Sequence, residues 1–323
     1  MTEKLTDAIL SADWFLFADR DYYSGEARVK QEALKNVAKG TRMGQILVHR
    51  LQVRNEQLTT KFPNQLTGHI DRRMLARLGM EIETVFSREV QDKFRPALLH
   101  LSLDASGSMS GEKWNKTSVV ATAFAYAASK ISNLDVVISI RGGVRNDHGM
   151  AHMAIVHDSR KDAFAHFRRM FVKLTPNGGT PEGLCFEAIM EEILKSTNDY
   201  SVYFVNISDG EPAFNATPMG AKQKRRRRYY AYTPDPNVPA GIDYTGDRAY
   251  RHTRHQVNKM REAGIRVLSY FVTAYSAYDS YYSRGEASKN AFRLMYGDDA
   301  SFIDVTQVTG ILTTMNKLLL KKQ

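Results

Sequence analysis

The feature that most constrains this chain is a regular alternation, from Leu98 onward, of short apolar runs with longer amphipathic ones. Leu98–Leu103 reads as a short buried strand, Thr117–Lys130 as an alanine-rich helix, and Val136–Ile140 and Met153–Val156 as strands. Helices are expected at Lys161–Val172 and Glu182–Lys195, with a strand at Tyr203–Ile207. A helix at Arg248–Ala263, strands at Val267–Val272 and Phe302–Val305, and a closing helix at Gln307–Leu320 complete the pattern. Strands and helices that alternate at this length predict an α/β, doubly wound, mostly parallel sheet with helices on both faces. Ligands of such sheets bind at the carboxyl ends of the strands, so the turns that leave those ends are where chemistry is expected.

Residues 1–95 read differently. Between Glu26 and Lys61, Val29, Ala33, Leu34, Val37, Ile46, Leu47 and Leu51 recur at three- and four-residue steps, with Gly40 as a break and Pro63 as the end. A shorter helix is expected at Ile70–Leu78, closed by Gly79, and a strand at Ile82–Phe86. The chain therefore divides into a helical N-terminal region, 1–95, and an α/β domain, 96–323. One stretch of that domain, about 212–246, is too long and too proline-bearing for an ordinary connection and reads as an insert.

Two acidic turns stand at strand ends. LSLDASGSMSG carries Asp104 off the first strand, and Ser106 and Ser108 follow at two-residue steps around Gly107. NISDGEP carries Asp209 off another. Between them, NGGTPEG offers Thr180 after two glycines and before a helix. Carboxylate and hydroxyl oxygens suit a hard divalent cation, Mg²⁺ or its relatives Mn²⁺ and Ca²⁺. Two carboxylates and three neutral hydroxyls leave such an ion coordinatively open, and an acidic residue from a partner could complete its shell. Another reading of the same residues is ordinary turn and cap chemistry.

Other sites are weaker. GSMSGEK differs from a phosphate-binding loop in its glycine spacing, and Trp114 stands where the metal-binding hydroxyl belongs. Ser106 or Ser108 would need a histidine to act as a nucleophile, and there is no G-x-S-x-G elbow. No catalytic residue is assigned, and no activity is expected of the chain alone. His252 and His255 share a helix face but are too few for a zinc site. Cys185 is the single cysteine, so no internal disulfide forms; it reads as a small buried residue and fits a reducing, cytoplasmic setting. The start of the chain reads as no signal peptide, and no apolar run is long enough for a membrane span.

The formal net charge is +10. Within the insert, Lys222, Lys224, Arg225, Arg226, Arg227 and Arg228 precede Tyr229, Tyr230 and Tyr232. Guanidinium groups pair with phosphate or carboxylate, and tyrosines stack on bases. Three readings follow: a solvated loop, a nucleic-acid contact, or a basic arm for an acidic protein partner beside the metal turns.

The D-x-S-x-S turn, the later Thr of GGTP and the later Asp of SDG resemble the metal-ion-dependent adhesion site (MIDAS) of the von Willebrand factor A family. The resemblance runs from about Leu98 to Lys321 and implies a Rossmann-like sheet. It also implies a metal held by Asp104, Ser106, Ser108, Thr180 and Asp209. LVHRLQVRNEQ, IDRRMLARL and FRPALLHLSLDASGSM narrow the likeness to the C-terminal half of the cobaltochelatase subunit CobT, whose relatives also occur in viral genomes. That resemblance implies an adaptor that works with a hexameric AAA+ ATPase of the CobS/MoxR kind, in a chelatase-like or remodelling complex. A strict cobaltochelatase role in cobalamin biosynthesis is a narrower expectation. The chain departs from CobT in lacking the large N-terminal extension with its acidic linker and in carrying the basic insert.

Overall fold

The computed structural model of the chain describes residues 2–12, 15, 17–18, 27–51, 58–74, 80, 84–92, 95–143, 151–216, 242–273 and 284–320. At its centre is β5 (Ala97–Asp104), buried along its whole length. On one side lie β6 (Leu134–Gly143) and β7 (Ala151–Asp158); on the other lie β8 (Ser201–Ser208), β11 (Arg266–Thr273) and β12 (Ala300–Asp304). The short strand β1 (Thr2–Lys4) adds to the outer edge of β7. The seven-stranded order is β1-β7-β6-β5-β8-β11-β12. Every neighbouring pair is parallel except β6 with β7. Leaving out β1, this is the 3-2-1-4-5-6 order of a Rossmann-like sheet, and the order reverses between β5 and β8.

Alternation along β5 explains how one strand builds two cores. Leu99, Leu101 and Leu103 face one hydrophobic cluster, and Leu98 belongs to the other. The first cluster is roofed by α3 (Glu112–Ala128), α4 (Phe164–Phe171) and α8 (Gly310–Leu320). The second is roofed by α5 (Glu182–Leu194), α6 (Gly246–Glu262) and α7 (Arg284–Tyr296).

The N-terminal region is only partly helical. α1 (Asp7–Ser11) is one turn, and α2 (Ala27–Leu51) is one continuous helix. Gly40 does not break it. A Cβ built on Gly40 would stand 2.5 Å from Thr122 Cβ and 2.7 Å from the Val119 carbonyl oxygen, so the missing side chain lets α2 lie close against α3. Gly44, one turn on, repeats the arrangement: a Cβ built there would stand 2.9 Å from the Ala123 carbonyl oxygen and 2.9 Å from Tyr126 Cβ. Replacing Gly40 with valine forces the two helices apart at a backbone atom. The expected loss is about 1–3 kcal/mol, read as a lower denaturant midpoint with an unchanged slope.

The helix expected to reach Lys61 ends by Leu51 among the described residues, and Leu58–Lys61 lie in a strand. β2 (Leu58–Gln65), β3 (His69–Ile70) and β4 (Phe86–Asp92) form a separate antiparallel sheet in the order β2-β4-β3. Pro63 lies inside β2, where the pairing shifts register between Phe62 and Gln65; proline lacks a ladder donor, and the irregularity accommodates it. Ile70 ends β3, and residues 71–74 make a turn in place of the helix expected from Ile70 to Leu78; residues 75–78 lie outside the described residues. Of the strand expected at Ile82–Phe86, Phe86 opens β4 and residues 81–83 lie outside them. Helix α7 was not anticipated from the sequence at all. Among the described residues no helix is long and apolar enough to cross a membrane.

Candidate metal centre

Two adjacent strands deliver the acidic turns. β5 ends on Asp104 and β8 ends on Ser208, one residue before Asp209. Because β5 and β8 are paired where the sheet order reverses, both turns open into the same crevice.

The first turn is held by its own aspartate. Asp104 is fully buried, and its Oδ1 accepts the Ser106 main-chain N–H at 2.8 Å, closing an Asx-type turn. Its Oδ2 accepts the Ser208 hydroxyl at 2.6 Å. Met109 is fully buried and anchors the far end of the loop. The Ser106 and Ser108 hydroxyls are 3.0 Å apart, and Ser108 Oγ donates to Asp209 Oδ1 at 2.7 Å. Asp104, Ser106, Ser108 and Asp209 are thus linked by one run of short hydrogen bonds, through the Ser106 main-chain N–H at the Asp104 end and through serine hydroxyls beyond it.

Thr180 joins through its backbone. The Gly107 N–H donates to the Gly178 carbonyl at 3.1 Å, and the Asn177 N–H donates to the Ala105 carbonyl at 2.7 Å. These bonds fasten the Thr180 loop to the Asp104 turn. On its other side Thr180 exchanges two main-chain bonds with Ala213, at 2.9 and 3.1 Å. A Cβ on Gly179 would come within 2.5 Å of the Ala213 carbonyl oxygen, so this approach requires glycine. The Thr180 side chain is buried beside these strand ends.

The donor set fits a hard cation. All the side-chain groups gathered here are oxygens, and the two carboxylates are close enough to disturb one another. Burial, and then the Asp104 carboxylate, push the Asp209 carboxyl above the usual carboxylate range; Lys113 and the Ser108 hydroxyl pull the other way. A divalent cation would relieve that repulsion. Asp209 already holds one cation: the Lys113 ammonium, from the first turn of α3, lies 2.5 Å from its Oδ2. Among the described residues no three His, Cys, Asp or Glu side chains gather into a cage. The candidate here is instead a pair of carboxylates with hydroxyls.

Beneath the turns lies a buried ionic layer that the sequence did not reveal. Arg141, on β6, is fully buried. Its Nη1 donates to the Ser102 carbonyl at 3.1 Å and to the Ser102 hydroxyl at 3.0 Å, and its Nη2 donates to Glu182 Oε1 at 2.7 Å. Asp104 Oδ2 is 3.9 Å from the same Nη2. Asn206 Nδ2 donates to Glu182 Oε1 at 3.1 Å and to Tyr296 Oη at 2.8 Å. Burial pushes the Glu182 carboxyl up, opposed by the Arg141 guanidinium. Because Glu182 opens α5 two residues after Thr180, this layer ties the Thr180 loop to the floor under Asp104. A faint signal existed: Arg141 ends an apolar strand run, which reads as a strand terminus rather than as sheet interior.

The other sequence candidates resolve individually. Ser106 and Ser108 bond to each other and to Asp209 rather than to a histidine. His252 is half-buried against Tyr244, its Nδ1 3.0 Å from the phenol oxygen, while His255 is exposed. Cys185 is buried, its thiol is pushed up to about 12 by that burial, and it donates to the His152 carbonyl at 3.4 Å. The insert begins and ends in a two-stranded hairpin, β9 (Ala213–Ala216) with β10 (Ile242–Thr245). The basic stretch Lys222, Lys224 and Arg225–Arg228 lies outside the described residues. Its stem, through Ala213, is bonded to the Thr180 loop.

No family model and no curated protein matches the chain. Solved structures with a similar fold include the pilus adhesin SpaC from Lactobacillus rhamnosus GG in its open conformation, with 13% identity and a TM-score of 0.49 over 71% of this chain. They also include proximal thread matrix protein 1 from the mussel byssus, with 11% identity and a TM-score of 0.41 over 69% of this chain. The match covers 30% of the adhesin and 46% of the matrix protein, and likeness at this level carries no argument.

Proposed function

We propose that this chain is a von Willebrand factor A-type interaction subunit whose metal centre docks an acidic group of a protein partner. The observation that carries the reading is the run of short contacts joining Asp104, Ser106, Ser108 and Asp209 at the reversal point of the sheet. In it, Asp104 and Asp209 supply charge to a magnesium-like ion, and Ser106, Ser108 and Thr180 supply neutral oxygens. When bound, the ion offers an open position to an outside carboxylate. The protein's own contribution is placement. Ser208 orients one carboxylate, Ser108 orients the other, and the Gly107–Gly178 bond fixes the third loop.

The partner suggested by the CobT resemblance is a CobS/MoxR-like AAA+ ATPase. The net charge of +10 favours an acidic partner surface, and the stem of the insert is bonded through Ala213 to the Thr180 loop. The test is titration of Mg²⁺ or Mn²⁺ into the full chain and into Asp104→Ala. The wild type binds and the variant loses binding by about 100-fold or more, as expected when a charged ligand of a hard cation is deleted. Equal affinities in the two proteins would dismiss the centre.

A further inference from the structure

We infer that Lys113 is a tethered cation that competes with the divalent ion for Asp209, so that metal loading requires its displacement. The inference rests on the metal-centre reading above and adds a control that reading does not contain. The geometry is direct. Lys113 Nζ lies 2.5 Å from Asp209 Oδ2 and donates to the Ser108 main-chain oxygen at 3.5 Å. One of these acceptors is a proposed ligand, and the other is the backbone of a second.

Position in sequence makes the competitor permanent. Lys113 follows the metal loop by five residues and sits in the first turn of α3, whose start is fixed by Gly111 in a left-handed conformation (φ 77°). A cation carried on a four-carbon stem at that point is never diluted, so its effective concentration at Asp209 does not depend on the solution. Its charge partly offsets the mutual repulsion of Asp104 and Asp209 when no divalent ion is present. The Asp209 side chain has no solvent exposure, whereas that of Lys113 is 18% exposed. The stem therefore has a route outward, and the carboxylate does not. Neighbouring Lys116 is already turned to Glu112, at 3.8 Å, and does not take over the place.

A divalent ion wins by charge, because it neutralises both carboxylates where the ammonium meets one. It must first break a short charge-assisted hydrogen bond. The centre consequently stays latched at low metal and opens for docking only as free divalent ion rises.

The experiment is Mn²⁺ binding, followed by calorimetry and by electron paramagnetic resonance of the free ion. Full-length wild type, Lys113→Met, Lys113→Gln and Asp104→Ala are compared. Both Lys113 variants bind Mn²⁺ about tenfold more tightly than wild type, the size expected for one charge-assisted hydrogen bond no longer opposed. Their melting temperatures fall in chelator and recover with Mn²⁺ by more than the wild type's do. Unchanged or weaker binding in the Lys113 variants, with Asp104→Ala still abolishing it, overturns the competitor and leaves the centre standing. Absence of binding in wild type and Lys113 variants alike overturns both.

Discussion

Arg141→Met lowers the stability of the folded chain by about 3–5 kcal/mol, the cost of removing one partner from a buried ion pair. The size follows from what the guanidinium leaves behind. Ser102 loses the donors to its carbonyl and hydroxyl, and Glu182, fully buried, loses its only ion-pair partner among the described residues. Asn206 still donates to Glu182 but brings no charge, and the carboxylate takes up a proton instead. Asp104 also loses the positive charge 3.9 Å from its Oδ2, so the metal turn weakens with the floor. Thermal unfolding should shift by about 4–7 °C for a chain of this size. The double variant Arg141→Met with Glu182→Met separates two accounts. If the cost is the orphaned carboxylate, the double variant recovers most of the loss, because apolar side chains of similar volume replace a buried pair without penalty. If it stays as unstable as the single variant, packing around the guanidinium is the origin, including its contact with the Phe186 ring at 5.4 Å.

Acid is expected to unfold the protein well above the carboxylate range. Three histidines are buried in the sheet and kept neutral there. His100 lies between β6 and β8, its Nε2 2.9 Å from Ser139 Oγ and its ring stacked on Phe204. Burial lowers it from 6.5 to about 3, with the Arg160 charge adding to this and Asp158 opposing it. His152, its ring edge-on to Phe15, and His157, against Phe167, are each lowered to about 4, chiefly by burial. A folded-state value below the unfolded one means the unfolded chain takes up protons first as pH falls. Stability from these groups is therefore complete above pH 6.5 and is lost as pH falls to about 4 for His152 and His157 and to about 3 for His100. Between pH 7.5 and 5.5 the three together remove about 3–4 kcal/mol by linkage. Denaturant midpoints measured across that range should fall steeply, and His100→Gln should flatten the slope by about a third. A midpoint independent of pH from 7.5 to 5.5 would show that these rings titrate alike in both states.

The two expectations share a cause. The sheet interior buries Arg141, Glu182, Asn206 and three histidines among the described residues, and each polar group there is stable only in its native company. A chain that loses one member pays the desolvation of the others.

How much of this was legible beforehand depends on range. The alternation of apolar periods located every strand from β5 to β12 except the β9 and β10 stem, because a buried parallel strand must be apolar on both faces. The same reading marked Asp104, Ser106, Ser108, Thr180 and Asp209 as oxygen-bearing residues of turns, since turn chemistry is written within a few residues of a strand end. It failed at Leu58–Lys61 and at Ile70, where a helical period was read into residues that pair as antiparallel strands, and it missed α7. It also passed over Lys113, taken only as part of a failed phosphate loop, and Arg141, which falls just past the strand expected at Val136–Ile140.

Local sequence determined the elements and the chemistry of their ends, because hydrophobic period and turn propensity act over a few residues. Tertiary structure alone decided that β5 and β8 are neighbours, which sets Asp104 beside Ser208 across 104 positions of chain. It also decided that Arg141 lies inside the sheet, a place a guanidinium occupies only because Ser102 and Glu182 arrive from distant segments to meet it. Those partners contribute only after the chain has closed long loops, so no window of sequence contains the information that makes them stable.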